Sequence, residues 1–142
     1  MRALGVDYGR KRIGLALSDA TGMLARPWKA IPAGSGPERT AVDLSREIVQ
    51  LLEEADGLAV VVLGFPRRLS GEPNEQTPLV EVLAARLRAL VPVPIVLQDE
   101  RLSSREAESL LARQVKDWRK RKPLLDAAAA AVILQDYLDG RG

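Results

Sequence analysis

Three carboxylates stand where acids are expensive. Asp7 ends the apolar run Ala3-Leu4-Gly5-Val6 and is followed by Tyr8-Gly9-Arg10-Lys11-Arg12-Ile13-Gly14. Glu100 comes just after a second apolar run, Val93 to Gln98, with Asp99 between them, and Asp126 opens the alanine stretch Ala127 to Ala131. A carboxylate leaving an apolar strand is costly to desolvate unless something pairs with it. The basic, glycine-rich turn after Asp7 suits a metal ion with a phosphate beside it. Three converging acids repel one another, and a hard divalent cation resolves that. Mg²⁺ or Mn²⁺ takes oxygen ligands and keeps several waters. Two such ions about 4 Å apart can clamp a phosphodiester, activating water on one side and stabilising the leaving oxygen on the other.

The composition narrows the alternatives. The chain contains neither cysteine nor histidine. Disulfides, thiolate catalysis, zinc–sulfur sites, serine–histidine triads and imidazole metal sites are thereby excluded. Hydrolytic chemistry must rest on carboxylates, lysines, hydroxyls or a metal held by oxygen. Each acid also has a bland explanation. Asp7 could be a turn aspartate bonding backbone amides. Asp99 and Glu100 could be solvated, pairing with Arg101. Asp126 could simply favour a helix N-terminus. Helical spacing, however, sets Asp126 on one side with Ala129, Ala130, Ile133 and Tyr137, an apolar side expected to face a sheet.

Net charge is only +2, so the placement of cations is more telling than their sum. Arg10, Lys11 and Arg12 follow Asp7 directly, where they suit phosphate contact. Arg67 and Arg68, followed by Ser70-Gly71, form another cationic loop. Arg101 and Ser103 lie just beyond Glu100. Arg119, Lys120, Arg121 and Lys122 cluster around Trp118, a combination suited to backbone contact and base stacking. Solvated turns and loops are the ordinary alternative for each cluster.

The elements that must position these groups can be read from the pattern. Arg2 to Asp7 and Ile13 to Ser18 predict two strands around the turn Gly9 to Arg12. In the second, Leu15 and Leu17 alternate with the small Gly14 and Ala16, giving one crowded and one close-packed face. Ala25 to Ile31 predicts a third strand, which Pro27 confines to an edge. A helix from Glu38 to Ala55 follows, then a strand over Leu58 to Gly64, buried on both faces. A polar loop spans Phe65 to Thr77. A second helix covers Pro78 to Leu90, with Leu79, Val82, Leu83, Leu87 and Leu90 inward. Val93 to Gln98 is a fifth strand. Ser103 with Glu106 fits a capping box opening a helix to Arg113. Lys116 to Lys122 reads as a loop before a last helix, Leu124 to Leu138. The expected fold is α/β: one domain over residues 1–142, a five-stranded mixed sheet with an antiparallel meander, parallel βαβ crossovers and helices on both faces. With 46% hydrophobic residues a packed core is expected. No stretch is apolar for long enough to span a membrane, and Asp7 interrupts the first apolar run too early for a signal peptide. A cytoplasmic protein is expected.

The motifs resemble those of the bacterial YqgF/RuvX family. Asp7-Tyr8-Gly9-Arg10-Lys11-Arg12-Ile13-Gly14-Leu15-Ala16 is similar to its opening motif. Gly64-Phe65-Pro66 with Ser70-Gly71, Asp99-Glu100-Arg101-Leu102-Ser103, and Lys122 with Asp126-Ala127-Ala128-Ala129 are similar to later motifs, in order and across nearly the whole chain. Ser104 and Phe65 depart from the commoner threonine and leucine, keeping a hydroxyl and an apolar group. The resemblance implies an RNase H-like fold related to the RuvC resolvases. It implies a nuclease for the 5′ end of pre-16S rRNA or, alternatively, a Holliday-junction resolvase on branched DNA. It makes Asp7, Glu100 and Asp126 the metal-binding catalytic acids, with Asp99 a further candidate ligand. Two weaker readings stay open: half of an actin-like or sugar-kinase-like ATPase, and a non-catalytic nucleic-acid-binding module. A monomer could trim rRNA, whereas paired junction cuts would need a homodimer.

Overall fold

A computed structural model describes residues 1–66, 75–100 and 118–140 of the chain. Its elements are β1 (Arg2–Tyr8), β2 (Arg12–Ser18), β3 (Ala25–Pro32), α1 (Pro37–Glu53), β4 (Leu58–Pro66), α2 (Thr77–Leu90), β5 (Ile95–Glu100) and α3 (Trp118–Gly140). The five strands form one sheet in the order β3-β2-β1-β4-β5. β1, β2 and β3 are antiparallel neighbours, and β4 and β5 run parallel to β1. This is the mixed topology expected: a meander first, then crossovers through α1 and α2. β3 lies at an edge, where Pro27 is tolerated.

Strand alternation divides the core in two. Leu4, Val6, Ile13, Leu15, Val61, Leu63 and Ile95 pack on one face with Leu44 and Ile48 of α1 and Leu83 and Leu87 of α2. Ala3, Ala16, Val60 and Val62 pack on the other with Ala130, Ala131, Ile133 and Leu134 of α3. Large side chains fill the first face and small ones the second, so α3 lies against the sheet almost backbone to backbone. A methyl group placed on Gly5 would sit 2.8 Å from both the Ala130 carbonyl oxygen and Leu134 Cβ. Gln135 ties the same helix to the start of β3. Its Oε1 accepts from Ala25 N–H at 2.9 Å, and its Nε2 donates to the Met23 carbonyl at 3.0 Å.

Several local expectations need correction. On α2 the buried residues are Thr77, Val80, Leu83, Ala84 and Leu87, while Leu79, Val82 and Leu90 are exposed. That helix carries apolar residues nearly all round, so periodicity cannot choose its inward face and packing against β4 does. Ala55 lies past the end of α1 and is exposed. β4 continues through Phe65 and Pro66, expected as loop, because both pair with β5. β5 is shifted two residues later than expected.

The predicted loop over Lys116 to Lys122 is helical from Trp118 onward. Pro123 removes one intrahelical bond, the one its N–H would give the carbonyl of residue 119. The flanking lysines and arginines are good helix formers and the helix runs through. The helix expected over 103–113 lies outside the described residues. No described helix is long and apolar enough to cross a membrane.

Candidate active site

Asp7 is the penultimate residue of β1, paired with Gly14 of β2. It shares the α3 face with Ala3 and Gly5, while Tyr8 turns to the opposite face and packs on the α1–α2 side. The chain then reverses through Gly9 to Arg12, closed by Gly9 N–H donating to the Arg12 carbonyl at 3.1 Å. Two further bonds pin this reversal to its surroundings. Ala33 N–H donates to the Lys11 carbonyl at 2.9 Å, and Gln76 Nε2 donates to the Tyr8 carbonyl at 3.1 Å. The end of β1 is therefore held from both sides, by the approach to α1 and by the start of α2.

Asp126 comes to the same place from α3. Its backbone rests directly on Gly14: a methyl group there would lie 1.9 Å from the Asp126 carbonyl oxygen and 3.0 Å from Ala127 N. Since Gly14 is the register partner of Asp7, the two acids meet across one glycine. The buried stripe of α3 runs through Ala127, Ala130, Ala131, Leu134 and Leu138. Ala129 and Tyr137, expected inward with Asp126, are only partly buried. Asp126 thus sits at the margin of the stripe rather than its centre, with its side chain 42% exposed. That margin faces the strand ends.

The electrostatics follow from this placement. Burial raises the Asp7 carboxyl from 3.8 to about 6, and the neighbouring Asp126 carboxylate pushes in the same direction. The nearest described cation is loosely placed: Arg12 Nη1 lies 3.9 Å from Asp126 Oδ2. Arg10 and Lys11 are exposed on the same turn, Arg10 pairing with Glu75 at 2.7 Å.

Glu100 ends β5 opposite Pro66, two residues beyond the Gln98–Gly64 pair. By alternation, positions 96, 98 and 100 share the α3 face with Asp7, and Asp99 shares the other face with Ile95 and Leu97. The backbone therefore puts position 100, and not 99, on the side of the acid pair. The Glu100 side chain is not among those described. Among the described residues no three potential metal-binding side chains cluster. Arg67, Arg68, Arg101 and Ser103 lie outside the described residues, and Arg119, Lys120, Arg121 and Lys122 fall in the first turns of α3.

The donor set fits a hard cation. Among the described residues two carboxylates share a partly desolvated corner with one distant guanidinium, and a divalent ion would supply countercharge there. A cavity of about 390 Å³ lined by Tyr8, Arg10, Gln76 and Leu79 adjoins the turn. It opens on the Tyr8 side of β1, so the acid pair does not line it.

Nothing in the chemistry of Gly14 marks it as a site residue. The signal for it is its alternation with Leu15 and Leu17, which marks a close-packed face.

A family model described as RuvX, Holliday junction resolvase, matches residues 1–140. The chain belongs to the RuvX family. Relatives named "Putative pre-16S rRNA nuclease" include one from Geobacillus kaustophilus, 37% identical over 99% of both chains. Another, from Nocardioides, is 43% identical over 96% of this chain and 86% of its own. A third, from Rhodococcus opacus, is 38% identical over 99% of this chain and 78% of its own.

Among solved structures, Thermus thermophilus RuvC matches with a TM-score of 0.60 at 15% identity, covering 99% of this chain and 96% of that one. The RuvX chain therefore has the RNase H-like fold of RuvC. A Thermus thermophilus ROK hexokinase matches with a TM-score of 0.50 at 21% identity, over 80% of this chain and 37% of the kinase. That likeness, too, is one of fold. It spans little more than a third of the kinase.

Proposed function

We propose that this chain is a divalent-metal-dependent nuclease. In this reading Asp7, Glu100 and Asp126 hold Mg²⁺ or Mn²⁺ at the strand ends, and the substrate is structured RNA of the pre-16S type. The observation that carries it is the Asp7–Asp126 pair, two carboxylates brought together where the Asp126 backbone rests on Gly14, the register partner of Asp7. The names of the 37–43% identical relatives support the substrate class. An rRNA substrate would place the protein in the cytoplasm.

Each part of the chain has a definite task in this reaction, which adds water across one P–O bond of the backbone. A divalent cation held by Asp7, Glu100 and Asp126 would supply Lewis-acid polarisation of the phosphate and acidify a water. Asp7, rigid at the end of β1, fixes the position of the charge. Asp126 approaches it from the helix side. Position 100 brings a third carboxylate from the β4–β5 side of the same face. Arg12 is exposed at the mouth of the pair, where its guanidinium can exchange Asp126 for a substrate phosphate, with Arg10 and Lys11 continuing the basic track.

The test is cleavage of precursor rRNA and of branched DNA by purified protein, with Mg²⁺, with Mn²⁺ and with EDTA. Loss of metal-stimulated cleavage in Asp7→Asn is expected; an unaffected variant would remove the site. Cleavage of four-way DNA in preference to precursor RNA would favour the resolvase reading, which the family description supports. Sedimentation would then be expected to show a dimer. Salt-dependent binding without any metal-stimulated cleavage would favour a binding module instead.

A further inference from the structure

We propose that Gly14 is a positioning residue for the acid pair: its missing side chain lets the Asp126 backbone rest on β2 beside Asp7, and that contact sets the spacing of the two carboxylates. The inference rests on the metal-nuclease reading above and adds to it a residue that bears no functional group.

The geometry leaves little alternative for a larger residue. A methyl on Gly14 would lie 1.9 Å from the Asp126 carbonyl oxygen, 2.4 Å from its carbonyl carbon and 3.0 Å from Ala127 N. All three are backbone atoms of a helix and cannot swing aside as a side-chain tip does. With non-bonded heavy atoms resting at about 3.5 Å, α3 would have to retreat by the order of 1–2 Å at the turn that bears Asp126. Among the described residues the glycines with positive φ are Gly22, Gly36 and Gly57, and Gly14 is not one of them. An alanine there would meet no conformational objection. The requirement for glycine is one of space alone.

Gly5 supplies an internal comparison. It lies on β1, on the same face of the sheet, and contacts the same helix, where a methyl group added to it would meet Ala130 and Leu134, each at 2.8 Å. These contacts fall one to two helical turns beyond Asp126. Filling Gly5 strains the helix–sheet packing away from the acids, whereas filling Gly14 displaces the acid itself.

The experiment compares Gly14→Ala, Gly5→Ala, Asp7→Asn and the wild type by Mn²⁺ titration calorimetry, thermal unfolding and cleavage. Both glycine variants are expected to unfold at lower temperature. Mn²⁺ binding should weaken about 10- to 100-fold in Gly14→Ala, the range for losing support around a metal ligand, and by less than about threefold in Gly5→Ala. Adding Asp126→Glu to Gly14→Ala should restore part of the affinity, because the longer side chain reaches back over the gap. In the wild-type background Asp126→Glu should weaken binding about tenfold by overreaching.

Unchanged Mn²⁺ affinity in Gly14→Ala, or equal losses in the two glycine variants, would overturn the proposal. Should Gly14→Ala fail to fold, undiminished affinity of Asp126→Glu alone would overturn it as well. Wild type and Asp7→Asn binding Mn²⁺ alike would instead refute the metal reading, and the positioning role with it.

Discussion

Arg12 and Asp126 face each other across the mouth of the acid pair, Nη1 to Oδ2, at 3.9 Å. Their side chains are 62% and 42% exposed, so the attraction is screened and contributes at most about 1 kcal/mol. A contact this loose is easily exchanged. Arg12→Gln should leave stability within roughly 0.5 kcal/mol of wild type. It should raise KM for a nucleic-acid substrate and reduce the salt dependence of binding by about one phosphate contact. Mn²⁺ affinity should stay level or tighten, since a competing cation has gone. Parallel losses of metal and substrate affinity would argue against this division of labour.

Asp7 makes the metal-free protein sensitive to pH in an unusual direction. Its carboxyl is raised from 3.8 to about 6 in the folded state, by burial first and by Asp126 second. The folded state therefore holds the proton more tightly than the unfolded chain. Below pH 4 both states are protonated and no penalty applies. Between about pH 4 and pH 6 the unfolded chain gives up this proton while the folded protein keeps it, so stability falls by up to roughly 3 kcal/mol and levels off above pH 6. Asp7→Asn removes that penalty. In EDTA the variant should match wild type in urea denaturation near pH 4 and exceed it above pH 7. A difference that does not change with pH would contradict this account.

The same proton competes with a cation. Mg²⁺ or Mn²⁺ should raise the melting temperature of the wild type at pH 8, by a free energy of about 2.7 kcal/mol when the ion is at 100 times its Kd. EDTA should abolish the gain. Below pH 6 the affinity should fall by up to tenfold per pH unit, as Asp7 takes up its proton. Asp7→Asn should show neither effect.

Gln135 tests whether helix docking and the acid pair separate. Its amide serves Ala25 N–H and the Met23 carbonyl, at the end of α3 remote from Asp126. Gln135→Ala leaves the part-buried Ala25 N–H without its partner, while water can replace the amide at the exposed Met23 carbonyl, and should cost about 1 kcal/mol by chemical denaturation. Mn²⁺ affinity should not change.

Much of this fold is legible along the chain because its cues are local. The Gly9–Arg12 reversal between two apolar runs specifies a hairpin. Val60-Val61-Val62 specifies a strand buried on both faces. Pro27 specifies an edge. Where the cues are degenerate the reading fails. The inward face of α2 cannot be chosen from a helix that is apolar nearly all round, and Pro123 suggests a helix start that the chain overrides from Trp118.

For the acids, residue type and local context mark which positions could do chemistry. With no histidine or cysteine, hydrolysis is left to carboxylates, lysines, hydroxyls or an oxygen-bound metal, and Asp7, Glu100 and Asp126 each stand close to an apolar run. Which of them meet, and across what, depends on contacts between distant segments. Strand pairing puts Gly14 beside Asp7, and β5 alternation puts position 100 on their face and Asp99 on the other. Helix docking then lays the Asp126 backbone on Gly14, because the small residues on that face leave nothing to hold α3 away. The spacing of the two carboxylates arises from packing between residues more than 100 positions apart, and no local pattern in the chain encodes that distance.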